Sequence, residues 1–308
     1  MTAPSQKCVT VWLLLNMCCS ISIVLINKWI YTNCGFPNIT LTCIHFIITS
    51  IGLFICRLMQ MFEPKSLPIT GMIPLAMTFC GFVVFTNLSL ETNTVGTYQL
   101  IKTMTTPCIM LIQTQYYEKM FSLQVKLTLI PIAVGVFLHS MFDVKFNLMG
   151  ILFATIGVLV TSLYQVWVAE KQVEFQVNSI QLLYYQAPLS ALMLNVVLLF
   201  TEPFNPNEVF NHWEMETLGM VLLSGVVAFS VNLSIFWIIG NTSPVTYNMA
   251  GHLKIVLTLL GGCLLFHDSL NLLQIISMLT TMSGVIAYTH FKMQENKVPV
   301  SHTGTTTT

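Results

Sequence analysis

The chain has 308 residues, of which Lys, Arg, Asp and Glu supply only 8%, and its formal net charge is zero. A soluble domain carries about 25% charged residues; with 55% apolar residues and a mean hydropathy of +0.76, so few charges cannot cover a water-facing surface. This balance excludes soluble, disordered and nucleic-acid-binding chains and leaves a polytopic membrane protein whose first partner is the lipid bilayer.

A spanning helix takes about 20 mostly apolar residues. On that measure the sequence predicts ten spans, near 9–30, 39–59, 70–88, 92–115, 124–141, 147–169, 177–201, 216–239, 243–266 and 270–291. The first apolar run is too long for a signal peptide and has no small-residue cleavage site, so it reads as an uncleaved span. With the N-terminus in the cytosol, Lys7, Arg57, Lys65, Lys119, Lys126, Lys171, Lys292 and Lys297 fall on the cytosolic side and only Lys145 on the other. That asymmetry follows the positive-inside rule, and an even span count puts both termini in the cytosol. The Thr-rich tail 293–308 is expected to be disordered. Seven of the nine cysteines fall in apolar runs and no C-x-x-C spacing occurs, so they read as small apolar side chains rather than a metal or redox site.

Three lysines fall within predicted spans: Lys28 in the first, Lys102 in the fourth and Lys254 in the ninth. A lysine at the bilayer centre costs about 2.5–3.5 kcal/mol. Lys28 stands beside Asn27 near its span's end, where it can snorkel; both are also kept as substrate contacts. Lys102 and Lys254 are more central, and Glu91, Glu118 and Asp268 all lie at span ends. Two central cations without an acidic neighbour are best explained by a wet cavity and an anion held there.

An internal repeat picks out the same helices. Thr97-Tyr98-Gln99 in the fourth span is echoed by Thr246-Tyr247-Asn248 in the ninth, and Gly135-Val136 by Gly284-Val285, both 149 residues on. Phe85-Thr86-Asn87-Leu88-Ser89 is echoed by Phe229 to Ser234. Five spans per half is odd, so the halves, 1–145 and 146–292, enter the membrane from opposite sides. Such inverted repeats place substrate near the midplane between paired Gly/Pro-interrupted helices. Here those are the fourth span, with Gly96 and Pro107, and the ninth, with Pro244 and Gly251. The fold expected is an all-α membrane protein of ten transmembrane helices in two inverted five-helix repeats.

Tyr98 shares a helix face with Lys102, and Tyr247 and Gly251 share one with Lys254. Tyrosine can stack on a base or sugar, and Gly251 leaves room for close approach. Gln99, Thr103, Thr105, Thr106 and Asn248 add neutral hydrogen-bonding groups, although a threonine in a helix often bonds its own backbone. Lysines and neutral donors suit a phosphate or diphosphate. The span histidines are His45, His139 and His252; no carboxylate is placed to orient them and no H-E-x-x-H pattern exists, so no catalytic residue, cofactor or metal is assigned, and His45 is kept as a substrate contact. Gly219, Ser224 and Gly225 in the eighth span suit either internal packing or a homodimer contact.

Five stretches carry a resemblance: Leu25-Ile26-Asn27-Lys28-Trp29-Ile30, Tyr98-Gln99-Leu100-Ile101-Lys102-Thr103, Leu183-Tyr184-Tyr185-Gln186-Ala187-Pro188, Ser243-Pro244-Val245-Thr246-Tyr247-Asn248 and Ala250-Gly251-His252-Leu253-Lys254. From about residue 9 to 292 the chain resembles solute carrier family 35, the nucleotide-sugar and triose-phosphate translocators of the drug/metabolite transporter superfamily, and is closest to its subfamily E. The resemblance implies the drug/metabolite transporter fold, a Golgi or ER membrane, and exchange of a cytosolic nucleotide sugar for a luminal nucleoside monophosphate. Lys254 fits the final lysine of the family's glycine-alanine-leucine-asparagine-lysine motif, while His252 and Leu253 depart from it. Tyr185-Gln186-Ala187 stands where guanine-selective members carry tyrosine and two asparagines, and Lys102-Thr103 is similar to members associated with UDP-sugars. Both point towards a UDP-sugar. Triose-phosphate members follow the ninth-span lysine with arginine, where this chain has Ile255. Transport of another organic phosphate is the alternative; an intramembrane enzyme or a non-transporting scaffold is remote.

Overall fold

The computed structural model describes residues 6–142, 147–201, 213–241, 254–255, 257–258, 261–262, 264–265 and 271–297. Among these residues every regular element is helical. Helix α1 (Gln6–Trp29) passes into a π-turn at Ile30–Cys34, closed by Gly35 at φ 62°. That left-handed backbone suits glycine, and its N–H reaches back to the Ile30 carbonyl. Next come α2 (Asn38–Leu58) and α3 (Ile69–Thr92), each starting directly after a proline, Pro37 and Pro68. Proline fixes φ near the helical value and needs no N–H partner at a helix start.

The fourth predicted span is two helices, α4 (Val95–Thr103) and α5 (Thr105–Tyr117). Pro107 explains the break. It has no N–H for the Thr103 carbonyl four residues earlier, and its ring crowds that carbonyl. The Met104 N–H therefore bonds Ile101 one residue short of the α-helical partner, and the Thr105 hydroxyl donates to the Lys102 carbonyl at 2.8 Å. Pro131 stands in the same relation to Leu127, where α6 (Leu123–Leu127) gives way to α7 (Leu129–Met141). Side-chain caps start several of the helices, among them Thr94 for α4, Ser122 for α6 and Asn147 for α8 (Leu148–Phe175). The remainder are α9 (Ser179–Thr201), α10 (Met215–Asn241) and α11 (Leu272–Lys297).

Among the described residues, eight helices are long and apolar enough to cross a membrane. They match eight of the ten predicted spans. The fourth is the broken α4–α5 pair, and most of the ninth lies outside the described residues. Apolar side chains such as Ile51, Phe137, Leu222 and Leu279 are more than half exposed, as lipid-facing residues must be. The protein is a multi-pass membrane protein.

The main helix packings are α3 on α8, α1 on α10, α7 on α11 and α2 on α9, followed by α2 on α10, α5 on α8 and α3 on α9. Glycines set the closest approaches. A β-carbon on Gly135 of α7 would meet the backbone of α11 at Ser277 and Thr281 at 2.7 Å, and one on Gly284 of α11 would meet the backbone of α7 at Ile132 at 2.9 Å. Between α2 and α10, Gly52 lies under the Phe229 ring and Gly225 against Ile48. Gly225 and Ser224 thus serve internal packing, while a β-carbon on Gly219 would meet nothing within 4 Å.

Candidate functional site

The helix break leaves Lys102 in the last turn of α4, one turn below Tyr98. Its Nζ donates to the Tyr98 hydroxyl at 3.2 Å and lies 5.4 Å from that ring's centroid. A narrow pocket opens beside the pair, lined by Thr86 and Ser89 of α3, Tyr98, Ile101 and Lys102 of α4, Thr105 of α5, and Ala154, Val158 and Thr161 of α8. The cavity between these walls is only about 10 Å³, room for about one water, so a phosphate group enters only if the walls move apart. Lys254 begins the first described helical piece of the ninth span, is partly buried, and feels the like charge of Lys102. Its Tyr247, Asn248 and Gly251 neighbours lie outside the described residues.

The remaining expected site residues divide into several settings. Gln99 and Thr103 are buried on α4, and the Thr103 hydroxyl donates to its own helix at Leu100, 2.6 Å away. Asn27 is buried on α1, and its Oδ1 has no hydrogen-bond partner among the described residues. Lys28 has a different role from the substrate contact expected of it. Its ammonium donates to the carbonyls of Leu90, Glu91 and Asn93, at 2.9, 2.9 and 2.7 Å. The final carbonyls of a helix lack partners within it and form the negative end of its dipole, so Lys28 caps α3 and ties α1 to the corner between α3 and α4. His45 is also held by protein: its Nε2 lies 2.8 Å from the Ser224 hydroxyl of α10. That hydroxyl donates to the Val221 carbonyl at 2.8 Å, so it accepts from the imidazole. Tyr185 packs against Met72, Leu75, Val177 and Leu182, edge-on to Tyr184 at 5.4 Å, and is not a wall of the Lys102 pocket.

The neighbour of Tyr185 is the more deeply buried residue. Gln186 is 2% exposed, and its Nε2 donates to the Tyr164 hydroxyl at 3.4 Å. The Tyr164 ring stacks on Phe82 at 5.5 Å and lies 5.3 Å from Phe79. Gln186 thus ends a run of contacts through Tyr164 to Phe82 and Phe79 and, like Tyr185, is not a wall of the Lys102 pocket. Sequence reasoning also passed over Thr86, Ser89 and Thr161 as pocket walls; the first two lie in the Phe85–Ser89 stretch whose repetition it did detect. A second, wider groove, bordered by Gln113, Tyr117, Lys119, Glu170 and Glu174, has two carboxylates, and Tyr117 donates to one of them, Glu170, at 2.6 Å. It is a poor setting for an anion.

The family model of the Triose-phosphate Transporter family matches residues 6–289. UDP-xylose transporter 1 of Arabidopsis thaliana is 34% identical over 282 residues, covering 91% of this chain and 82% of the relative. UDP-xylose transporter 3 of the same plant is 32% identical, covering 94% and 82%, and its UDP-galactose transporter 1 is 28% identical, covering 87% and 82%. A crystal structure superimposes with a TM-score of 0.62 at 14% identity, covering 94% of this chain and 99% of that one; at that identity it speaks for the fold alone. With a family match across nearly its whole length and eight helices fit to cross a membrane among its described residues, the chain belongs to the Triose-phosphate Transporter family of membrane transporters.

Proposed function

We propose that the protein is a nucleotide-sugar antiporter, with a UDP-sugar as its cargo and a nucleoside monophosphate as its counter-substrate. The observation that carries this reading is Lys102 beside a neutral pocket of Thr86, Ser89, Thr105 and Thr161, within reach of the Lys254 charge. Neutral donors and two ammonium groups form a setting for a diphosphate. Relatives named as UDP-xylose and UDP-galactose transporters supply the cargo class. Gln186 on its aromatic wall supports uracil, because a carboxamide offers both the donor and the acceptor that an imide edge needs. Tyr185, Tyr247, Asn248, Gly251, Gln99 and Thr103 complete the proposed surroundings.

The packing pattern supports two inverted repeats. Exchange each helix of the first half for its counterpart in the second. The α3–α8 contact then becomes α10–α1, α2–α10 becomes α9–α3, and α7–α11 and α2–α9 become themselves; all of these packings occur. Two halves related in this way can rock about a central site. Exchange then has an electrostatic reason. An empty carrier must move two mutually repelling cations through reorientation, whereas a bound anion neutralises them. By the family resemblance the membrane is that of the Golgi or ER, with both termini cytosolic.

The test is uptake by proteoliposomes loaded with UMP and offered labelled UDP- and GDP-sugars. Uptake of a UDP-sugar that depends on internal UMP, and is lost in Lys254→Ala, is the expected result. Uptake of sugar phosphates alone would instead favour the other organic phosphates. If Lys102→Gln retains binding but turns exchange into leak, the electrostatic account of coupling holds; tight exchange in that variant removes it.

A further inference from the structure

The inner stripe of α1 is unusual for a membrane helix. Its buried positions are Asn16, Ser20, Val24, Asn27 and Lys28, spaced four, four, three and one apart as one helix face requires. Four of the five are polar. Two have evident structural partners: Asn16 donates to the Ser234 hydroxyl of α10 at 2.9 Å, and Lys28 caps α3. The other two do not. Ser20 Oγ is 3% exposed by residue and Asn27 is 4% exposed, and neither Ser20 Oγ nor Asn27 Oδ1 has a hydrogen-bond partner among the described residues. A buried polar atom left unmatched is destabilising, and in a transporter an intramembrane polar group without a structural partner marks the substrate path.

Position and chemistry narrow the substrate group. Val24, one turn before Asn27, clusters with Val95 and Tyr98, so this part of the stripe meets the helix that presents Lys102. A carboxamide oxygen only accepts. It cannot serve phosphate oxygens, which also only accept, and the Lys102 pocket already offers those its donors. The donors of a nucleotide sugar are the hydroxyls of its sugars and the base N–H, and Gln186 stands on α9, a different wall. We propose that Asn27, assisted by Ser20, forms the subsite for the transferred sugar, with Asn27 Oδ1 accepting a hydrogen bond from a ring hydroxyl. This rests on the nucleotide-sugar reading above.

UMP has no transferred sugar, so it separates this subsite from the rest of the cavity. In reconstituted full-length protein, UMP/UMP exchange and UDP-sugar/UMP exchange are measured side by side for wild type, Asn27→Leu and Ser20→Ala. The panel includes deoxysugar analogues lacking one ring hydroxyl. Loss of a hydrogen bond to a hydroxyl is expected to raise the KM for the UDP-sugar roughly tenfold more than that for UMP in Asn27→Leu, with a smaller effect of the same kind in Ser20→Ala. The preference of wild type for the hydroxylated sugar over one deoxy analogue should disappear in Asn27→Leu. Equal losses for UMP and UDP-sugar, or unchanged discrimination, would overturn the subsite. If Asn27→Leu fails to fold, the discrimination of Ser20→Ala decides in the same way. Wild-type protein that exchanges neither compound would instead sink the transport reading itself.

Discussion

Lys28 and Lys102 are both lysines in apolar helices, yet their surroundings give them opposite fates. The ammonium of Lys28 meets three carbonyls, whereas that of Lys102 meets one tyrosine hydroxyl at the edge of a cavity. Sequence reasoning put both in the substrate site because it searched for carboxylate partners, and backbone carbonyls have no side-chain identity to find. Replacing Lys28 by Met removes charge-assisted bonds worth on the order of 2–3 kcal/mol and leaves the α3 terminus uncapped. Lys28→Met should therefore lower the midpoint of thermal unfolding in detergent without changing the order of preference among nucleotide sugars. A change in that order with unaltered stability would return Lys28 to the site. His45 invites the same comparison: His45→Gln keeps a donor for Ser224 and should retain transport better than His45→Leu, measured at equal expression.

At the scale of the helix, the positions of most spans were legible because runs of about 20 apolar residues leave no other reading. The break in the fourth span was visible only as Pro107. That it falls at Met104, two residues after Lys102, follows from the carbonyl four residues before the proline. Pro107→Ala should restore a continuous helix, move Lys102 relative to α8, and reduce uptake while leaving the protein as stable or more so; full activity would show that the break is incidental. Glycine was legible as a repeat signal but not as a contact. Gly135→Val places carbon against the α11 backbone and should destabilise the protein by overpacking, typically by about 1–3 kcal/mol, seen as a lower unfolding midpoint. Gly219→Ala, with nothing within 4 Å of its β-carbon, should leave that midpoint unchanged.

For the whole molecule, charge placement predicts both termini on one side. Epitopes fused at either end should become antibody-accessible together when only the outer membrane of the cell is permeabilised; accessibility of one alone would mean an odd number of crossings. The site was partly legible because charge inside a membrane is rare. The Gln186–Tyr164 pairing was not, because its partners are 22 residues apart and meet only through the packing of α8 on α9. The α7–α11 crossing bears on how such a chain can change over generations. Gly135 and Gly284 each press on the other helix's backbone, so extra volume at either pushes apart the one surface that both helices share. Drift at one position is then restrained by a partner 149 residues away, a tie that positions facing lipid do not carry.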